Sequence, residues 1–184
     1  MSDATPTPGT QDDDAPVVDP TSPEPDELYG QSVTWSRGQP VIHVDRAALA
    51  DVVGSLRNDE GFDVCVDVTA VDYLTYTSDR AMPAGIEPER FEVVVNLRSF
   101  RHGGRIRIRV QVPESDAVVP TLFEVHPGTE AFEREVYDMF GIRFAGHPDL
   151  TRILMPEDWE GHPLRKDYVI GRIPVQFKGV VNER

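Results

Sequence analysis

Apolar residues in this chain fall into short periodic runs, and the periods predict its elements. Residues 33–35 and 41–44 read as two short strands around a Gly-Gln-Pro turn. Asp45 then stands where a helix cap belongs, with Leu49, Val52, Val53 and Leu56 on one helical face and Gly61 just past the end. Three longer strands follow, at about 62–73, 91–97 and 105–112. The last alternates strictly, Arg105-Ile106-Arg107-Ile108-Arg109-Val110-Gln111-Val112, as a strand buried on one face does. Arg101-His102-Gly103-Gly104 makes the last two strands a hairpin, and the Pro- and Gly-containing stretch 77–88 reads as a flexible excursion. The arginines at 105, 107 and 109 form a basic stripe, read as a solvated or protein-contacting face.

The pattern changes to a helical one at 130–140. Phe132, Val136, Met139 and Phe140 stand at i, i+4, i+7 and i+8, a single apolar stripe. Thr129 is the expected N-cap, Glu130 and Glu133 lie near the positive end of the dipole, and Gly141 can take the left-handed position that stops the helix. The rest of the surface is densely charged: Glu133, Arg134, Glu135 and Asp138. Glu130 with Arg134, and Arg134 with Asp138, have i, i+4 spacing, where an exposed pair contributes only ~0.3 kcal/mol.

Beyond the helix the chain repeats itself. Gly146-His147-Pro148-Asp149-Leu150-Thr151-Arg152 is echoed fifteen positions later by Gly161-His162-Pro163-Leu164-Arg165-Lys166. Each unit has a glycine for a tight turn, a histidine held extended by proline, then a leucine and a base. Ile153, Leu154, Met155 and Trp159 lie between them without helical or strand period. Pro174, Val175, Phe177, Val180 and Val181 continue in the same manner. An extended chain with regular apolar anchors lies along another surface, its own or a neighbour's.

These elements add up to an α+β fold in two layers, helices packed on a mostly antiparallel or mixed sheet, with an extended C-terminal arm. The expected organisation is an acidic, Pro-rich, disordered tail over 1–30, a domain over 31–145 and a docking arm over 146–184. The tail holds eight acidic groups and no Lys or Arg, so of the net charge of −14 only −6 belongs to the remainder. That balance argues against nucleic acid or anionic lipid as a main partner. No apolar run approaches the ~18 residues of a membrane span, and the N-terminus lacks a basic start and an apolar signal core.

Candidate chemistry is sparse. The single cysteine, Cys65, excludes an internal disulfide and a self-contained iron–sulfur cluster, and reads as a strand residue. No GxGxxG, GxxxxGK[ST] or GxSxG run is present. His126, His147 and His162 stand among acidic residues, but each precedes a proline, and the Glu-x-x-His pairing of a di-iron helix is missing. They read as hydrogen-bonded turn residues, and no metal is expected.

The run Glu133-Arg134-Glu135-Val136-Tyr137-Asp138-Met139-Phe140-Gly141-Ile142 is followed by Phe144, Gly146-His147-Pro148-Asp149-Leu150, Arg152-Ile153-Leu154 and Gly161-His162-Pro163-Leu164-Arg165-Lys166-Asp167-Tyr168. Together they resemble the signature of the C-subunit family of NADH:quinone oxidoreductase, the thirty-kilodalton subunit of respiratory complex I. The similarity covers about 33–170 and is strongest over 130–168. Ala131 departs from the tryptophan of many relatives.

The resemblance implies a cofactor-free peripheral-arm subunit, FMN and iron–sulfur clusters being held by other subunits. Its implied partners are the large quinone-site subunit and neighbouring iron–sulfur subunits, at the cytoplasmic side of the cell membrane without insertion. The implied reaction passes electrons from NADH to a quinone and couples this to proton translocation. The expected subunit-interface residues are Glu133, Arg134, Glu135, Asp138, His147, Arg152, His162, Arg165, Lys166 and Asp167, as partner-facing or helix-to-arm ion pairs. An end at Arg184 is expected of the form not fused to the large quinone-site subunit. The equivalent subunit of a deazaflavin-dependent dehydrogenase or membrane-bound hydrogenase, and a free-standing metal-dependent hydrolase, are the alternative readings.

Overall fold

The computed structural model of the chain describes residues 25–169. Its main sheet has six strands: β1 (Glu27–Leu28), β2 (Gln31–Ser36), β3 (Gln39–His43), β4 (Val64–Asp72), β5 (Phe91–Arg98) and β6 (Arg105–Val112). They lie in the order β1-β2-β3-β6-β5-β4. Every neighbouring pair is antiparallel except β3 with β6, so the sheet is mixed. Helix α1 (Leu49–Asn58) follows β3, and α2 (Glu130–Phe140) follows the sheet. Between β6 and α2 lies β7 (Val118–Pro120), which pairs in parallel with β8 (Arg143–Ala145) just after α2. Residues 146–169 contain neither helix nor strand.

The core follows from the alternation of β5 and β6. Phe91, Val93, Val95 and Leu97 stand opposite Val112, Val110, Ile108 and Ile106, all between 0% and 2% exposed. Each such side chain contributes roughly 1.5–3 kcal/mol by leaving water. Leu49, Val53 and Leu56 of α1, and Val136, Met139 and Phe140 of α2, join the same cluster. The two-layer α+β arrangement is therefore the one expected.

Several local expectations are corrected. The β2–β3 turn lies at Arg37 and Gly38, both at positive φ (55° and 71°), rather than at Gly-Gln-Pro. Two successive left-handed residues match the strand twist, so Gln39 and Pro40 are already part of β3. Asp45 accepts from the Ala47 amide, but it caps a single 3₁₀ turn that leads into α1. Strand β1 lies inside the stretch expected to be disordered, and β7 and β8 were not anticipated.

Arg109 is not a solvated member of its stripe. Its Nε donates to Glu92 Oε1 at 2.6 Å and its Nη2 to the Tyr73 hydroxyl at 2.9 Å. Glu92 is fully buried on the outer sheet face and also accepts from Gln111 Nε2 at 2.5 Å. A buried carboxylate needs such partners, which a strand's alternation does not reveal.

Candidate functional site: the joint between helix α2 and the arm

Helix α2 buries more than its apolar stripe. Glu133 and Asp138 are both 0% exposed. Glu133 faces the chain before its helix, accepting from Thr121 Oγ1 (2.5 Å), the Leu122 amide (2.7 Å) and Thr129 Oγ1 (2.8 Å). Thr129 stands at the expected N-cap position, but its side chain caps no backbone amide. It has helical φ and ψ, ends the 3₁₀ turn Pro127–Thr129, and gives its hydroxyl to Glu133. Burial pushes the Glu133 carboxyl above its ordinary pKa, against the pull of these donors.

Asp138 faces the other way, into the arm. Its Oδ2 accepts three consecutive amides, Ile153 (3.1 Å), Leu154 (2.8 Å) and Met155 (2.8 Å). Its Oδ1 takes Arg152 Nη1 at 2.6 Å. Burial alone would raise its pKa, but the Met155 amide, Arg152 and the other two amides outweigh it, and the carboxyl sits below the usual range. The expected Arg134–Asp138 pair is replaced by this one. Arg134 instead pairs with Glu130 (3.2 Å) and donates to Thr151 O, Thr151 Oγ1 and Arg152 O.

The two Gly-His-Pro units attach the arm to opposite ends of α2. His147 Nδ1 accepts from the Asp149 amide, so Nε2 carries the proton that reaches Glu130 O at 3.1 Å. His162 Nδ1 donates to Asp138 O at 3.0 Å. This second unit completes the helix end. Tyr137 O is taken by the Gly141 amide, Met139 O by the Leu164 amide (3.0 Å) and Phe140 O by Arg165 Nε (2.5 Å). All four terminal carbonyls, which a helix leaves without internal partners, are thereby satisfied. Gly141 is required twice over: its φ is 74°, and a Cβ there would lie 2.5 Å from His162 Nε2.

A second attachment lies at the end of the sheet. Asp72, 4% exposed, accepts the Lys166 amide (2.8 Å), the Leu74 amide (2.9 Å) and two nitrogens of Arg90 (3.1 and 3.0 Å). Arg90 also holds Asp167 at 3.0 Å and pairs with Glu114. Burial opposes ionisation of Asp72, but Arg90 and the two amides prevail and its pKa is lowered. Sequence reasoning missed Asp72 and Arg90. Asp72 ends a strand and Arg90 precedes one, so neither has a local pattern.

Of the ten expected interface residues, eight take part in these helix–arm or sheet–arm contacts: Arg134, Asp138, His147, Arg152, His162, Arg165, Lys166 through its backbone amide, and Asp167. Glu133 lies inside, facing residues 121–129, and Glu135 is exposed. The arm so held leaves Ile153, Leu154, Leu164 and Val169 40%, 60%, 48% and 60% exposed.

Among the described residues no three His, Cys, Asp or Glu side chains stand together to hold a metal, and no helix is long and apolar enough to cross a membrane. Cys65 lies in β4, half buried, its thiol pushed up to about 12 by burial. A polar cavity of about 520 Å³ opens between His43, Arg46, Arg109, residues 84–87 and Glu89. Both its arginines are engaged, Arg46 with Asp116 and Arg109 with Glu92.

A chain from Mycobacterium avium, named as the C-subunit of NADH-quinone oxidoreductase, is 44% identical over 151 residues, covering 81% of this chain and 60% of that one. Its counterpart of the same name from Saccharopolyspora erythraea is 46% identical over 150 residues, covering 80% and 56%. The chain thus spans about three fifths of the length of the curated relatives it matches. A solved structure described as Nqo5 of the trypsin-resistant fragment (1-134) aligns with a TM-score of 0.58 at 35% identity, covering 66% of this chain and 90% of that one. A family model described as the respiratory-chain NADH dehydrogenase 30 Kd subunit matches residues 42–173, which include β4–β8, both helices and the whole joint. The chain therefore belongs to the 30 kDa subunit family of respiratory-chain NADH dehydrogenase.

Proposed function

We propose that this chain is a structural subunit, with no redox centre of its own, in the peripheral arm of a proton-translocating NADH:quinone oxidoreductase. In that assembly FMN and iron–sulfur clusters in other subunits carry electrons from NADH to a quinone, on the cytoplasmic side of the cell membrane. This chain supplies a rigid docking surface for the large quinone-site subunit and its iron–sulfur neighbours. Family membership and the names of the relatives support the reading.

The observation that carries it is the way Asp138 orders residues 153–155. A buried carboxylate that gathers three successive amides fixes the backbone and turns Leu154 outward, 60% exposed. Ordering an apolar strip costs conformational entropy, and leaving it in water recovers nothing. Covered by another subunit, it becomes a pre-organised anchor. Arg134, Asp138, His147, Arg152, His162 and Arg165 shape the strip. Glu135, Lys166 and Asp167 are exposed too and supply the polar part of the docking surface.

Leu154→Gln and Glu135→Ala test this. The isolated chain should keep its melting temperature with either change. Recovery of the assembled peripheral arm and NADH:quinone activity should both fall, with Leu154→Gln the more severe. Full assembly with both variants would remove the interface claim.

A further inference from the structure

The outer face of the β5–β6 hairpin carries positive charge that no carboxylate among the described residues neutralises. Arg98 stands directly opposite Arg105 in the ladder, and Arg107 lies opposite Asn96, two residues further in. Like charges placed opposite one another across strands repel. Arg107 reaches only a neutral partner, Asn96 Oδ1, at 3.1 Å. None of the three arginines has an ion pair among the described residues, whereas Arg109 on the same strand is held by Glu92. Arg98 adds a second anomaly: its Nε is buried without a hydrogen-bond partner. Its guanidinium lies 5.2 Å from the centre of the Phe100 ring, and Phe100 is 70% exposed. The patch therefore offers three cations beside one bare aromatic ring, on a chain of net charge −14.

The complementary chemistry is in the same chain. Residues 1–24 contain six carboxylates and no Lys or Arg, with the densest run at Asp12-Asp13-Asp14. Ala15-Pro16-Val17-Val18 follows at once and holds the only Val, Leu or Ile of that segment. The point of departure is favourable too. Val33 donates its amide to Asp26 O at 2.9 Å, and Trp35 Nε1 donates to Pro25 O at 3.0 Å. Going back from β1, the chain thus runs along β2 toward Trp35. The ladder carries that level across the sheet: Trp35 faces Pro40, the next residue Val41 neighbours Arg107, and Ile106 faces Leu97. Pro25 leaves at the end of the sheet where the patch lies, four strands from β5. At ~4.8 Å per strand that is ~19 Å. The eleven residue steps from Asp14 to Pro25 reach up to ~37 Å at full extension, against ~18 Å for a random chain of that length.

We propose that the segment Asp12–Val18 folds back onto this patch, its three aspartates against Arg98, Arg105 and Arg107 and its valines against Phe100. Each ion pair is weak and screened by salt, but the tether keeps the segment at a high local concentration. Docked there, it covers a basic face that would otherwise attract any acidic surface.

Gln11→Cys places a single nitroxide label beside the aspartates without removing a carboxylate. Cys65, its thiol half buried and pushed up to about 12, reacts slowly by comparison. In the full chain, labelled with ¹⁵N, the nitroxide should broaden the amide signals of 96–107. The broadening should disappear at high salt, and in Arg98→Gln/Arg105→Gln/Arg107→Gln. The salt arm needs no substitution in the sheet, so it stands even if the triple variant folds poorly. No broadening at low salt would overturn the proposal, as would broadening that survives both salt and loss of the arginines. Broadening seen only between a nitroxide-labelled copy and a separate ¹⁵N copy would assign the patch to a second molecule. Shifts at 98–107 only on adding partner subunits would assign it to them. Either result overturns the fold-back.

Discussion

At the scale of single residues, two buried acids on one helix carry opposite linkage to pH. Asp138 has a folded pKa below its unfolded value, so the stability it contributes is fully present above ~3.9 and is lost as pH falls through the lower folded value. Glu133 is raised, so its proton is favoured in the folded state. The stability this contributes is fully present well below ~4.3 and is lost as pH rises from there through the raised folded value. Neutral stability therefore rests on Asp138. Asp138→Asn presents an NH₂ group to a pocket of donors and leaves Arg152 without its countercharge. It should cost ~3–5 kcal/mol in denaturant unfolding at pH 7 and flatten the acid side of the stability–pH curve. A shift no larger than that of the exposed control Glu135→Gln, or an unchanged acid limb, would refute this account.

At the scale of elements, residues 146–169 of the arm form isolated turns but no helix or strand, and they borrow order from α2 and from the end of β4. The arm's two Gly-His-Pro units are the visible sign of this. One histidine meets the first residue of α2 and the other meets the last turn. The attachment through Asp72 and Arg90 is separable, because it holds 166–167 rather than 153–155. Asp72→Asn weakens the grip on Arg90 and on the Lys166 amide. Trypsin should then cut after Arg165 and Lys166 several-fold faster than in the parent chain, while cleavage after Arg134 within α2 stays slow. Equal rates at 165–166 would mean that the contacts with α2 alone secure the arm.

At the scale of the whole molecule, the described chain begins with order inside the acidic segment. Pro25 O and Asp26 O accept from Trp35 and Val33, and Glu27–Leu28 pair with β2. Removing residues 1–24 should lower the thermal midpoint of the isolated chain only slightly, by what the weak, salt-screened docking of the acidic segment contributes, since the body keeps every contact of its core. Removing 1–28 takes away β1 and both of those bonds, so the midpoint should fall. A fall already complete on removing 1–24 would show that β1 and its two bonds add nothing to the stability of the body.

The sequence by itself determined the periodic parts. Alternation over 105–112 and the stripe at 132, 136, 139 and 140 state which face is buried, because period and burial are the same fact in a regular element. The run over 133–168 likewise gave the family, and the paired Gly-His-Pro turns marked the arm. What the tertiary structure decided is where polar groups point. Glu133 and Asp138 look like surface charges on a helical wheel, yet both are buried, because non-helical segments at 121–129 and 152–155 bring amides and hydroxyls to them. Arg109 is drawn out of its stripe by Glu92, and Lys166 meets Asp72 across 94 residues of chain. Such pairings have no period, since a hydrogen bond is specified by two points in space rather than by spacing along the chain.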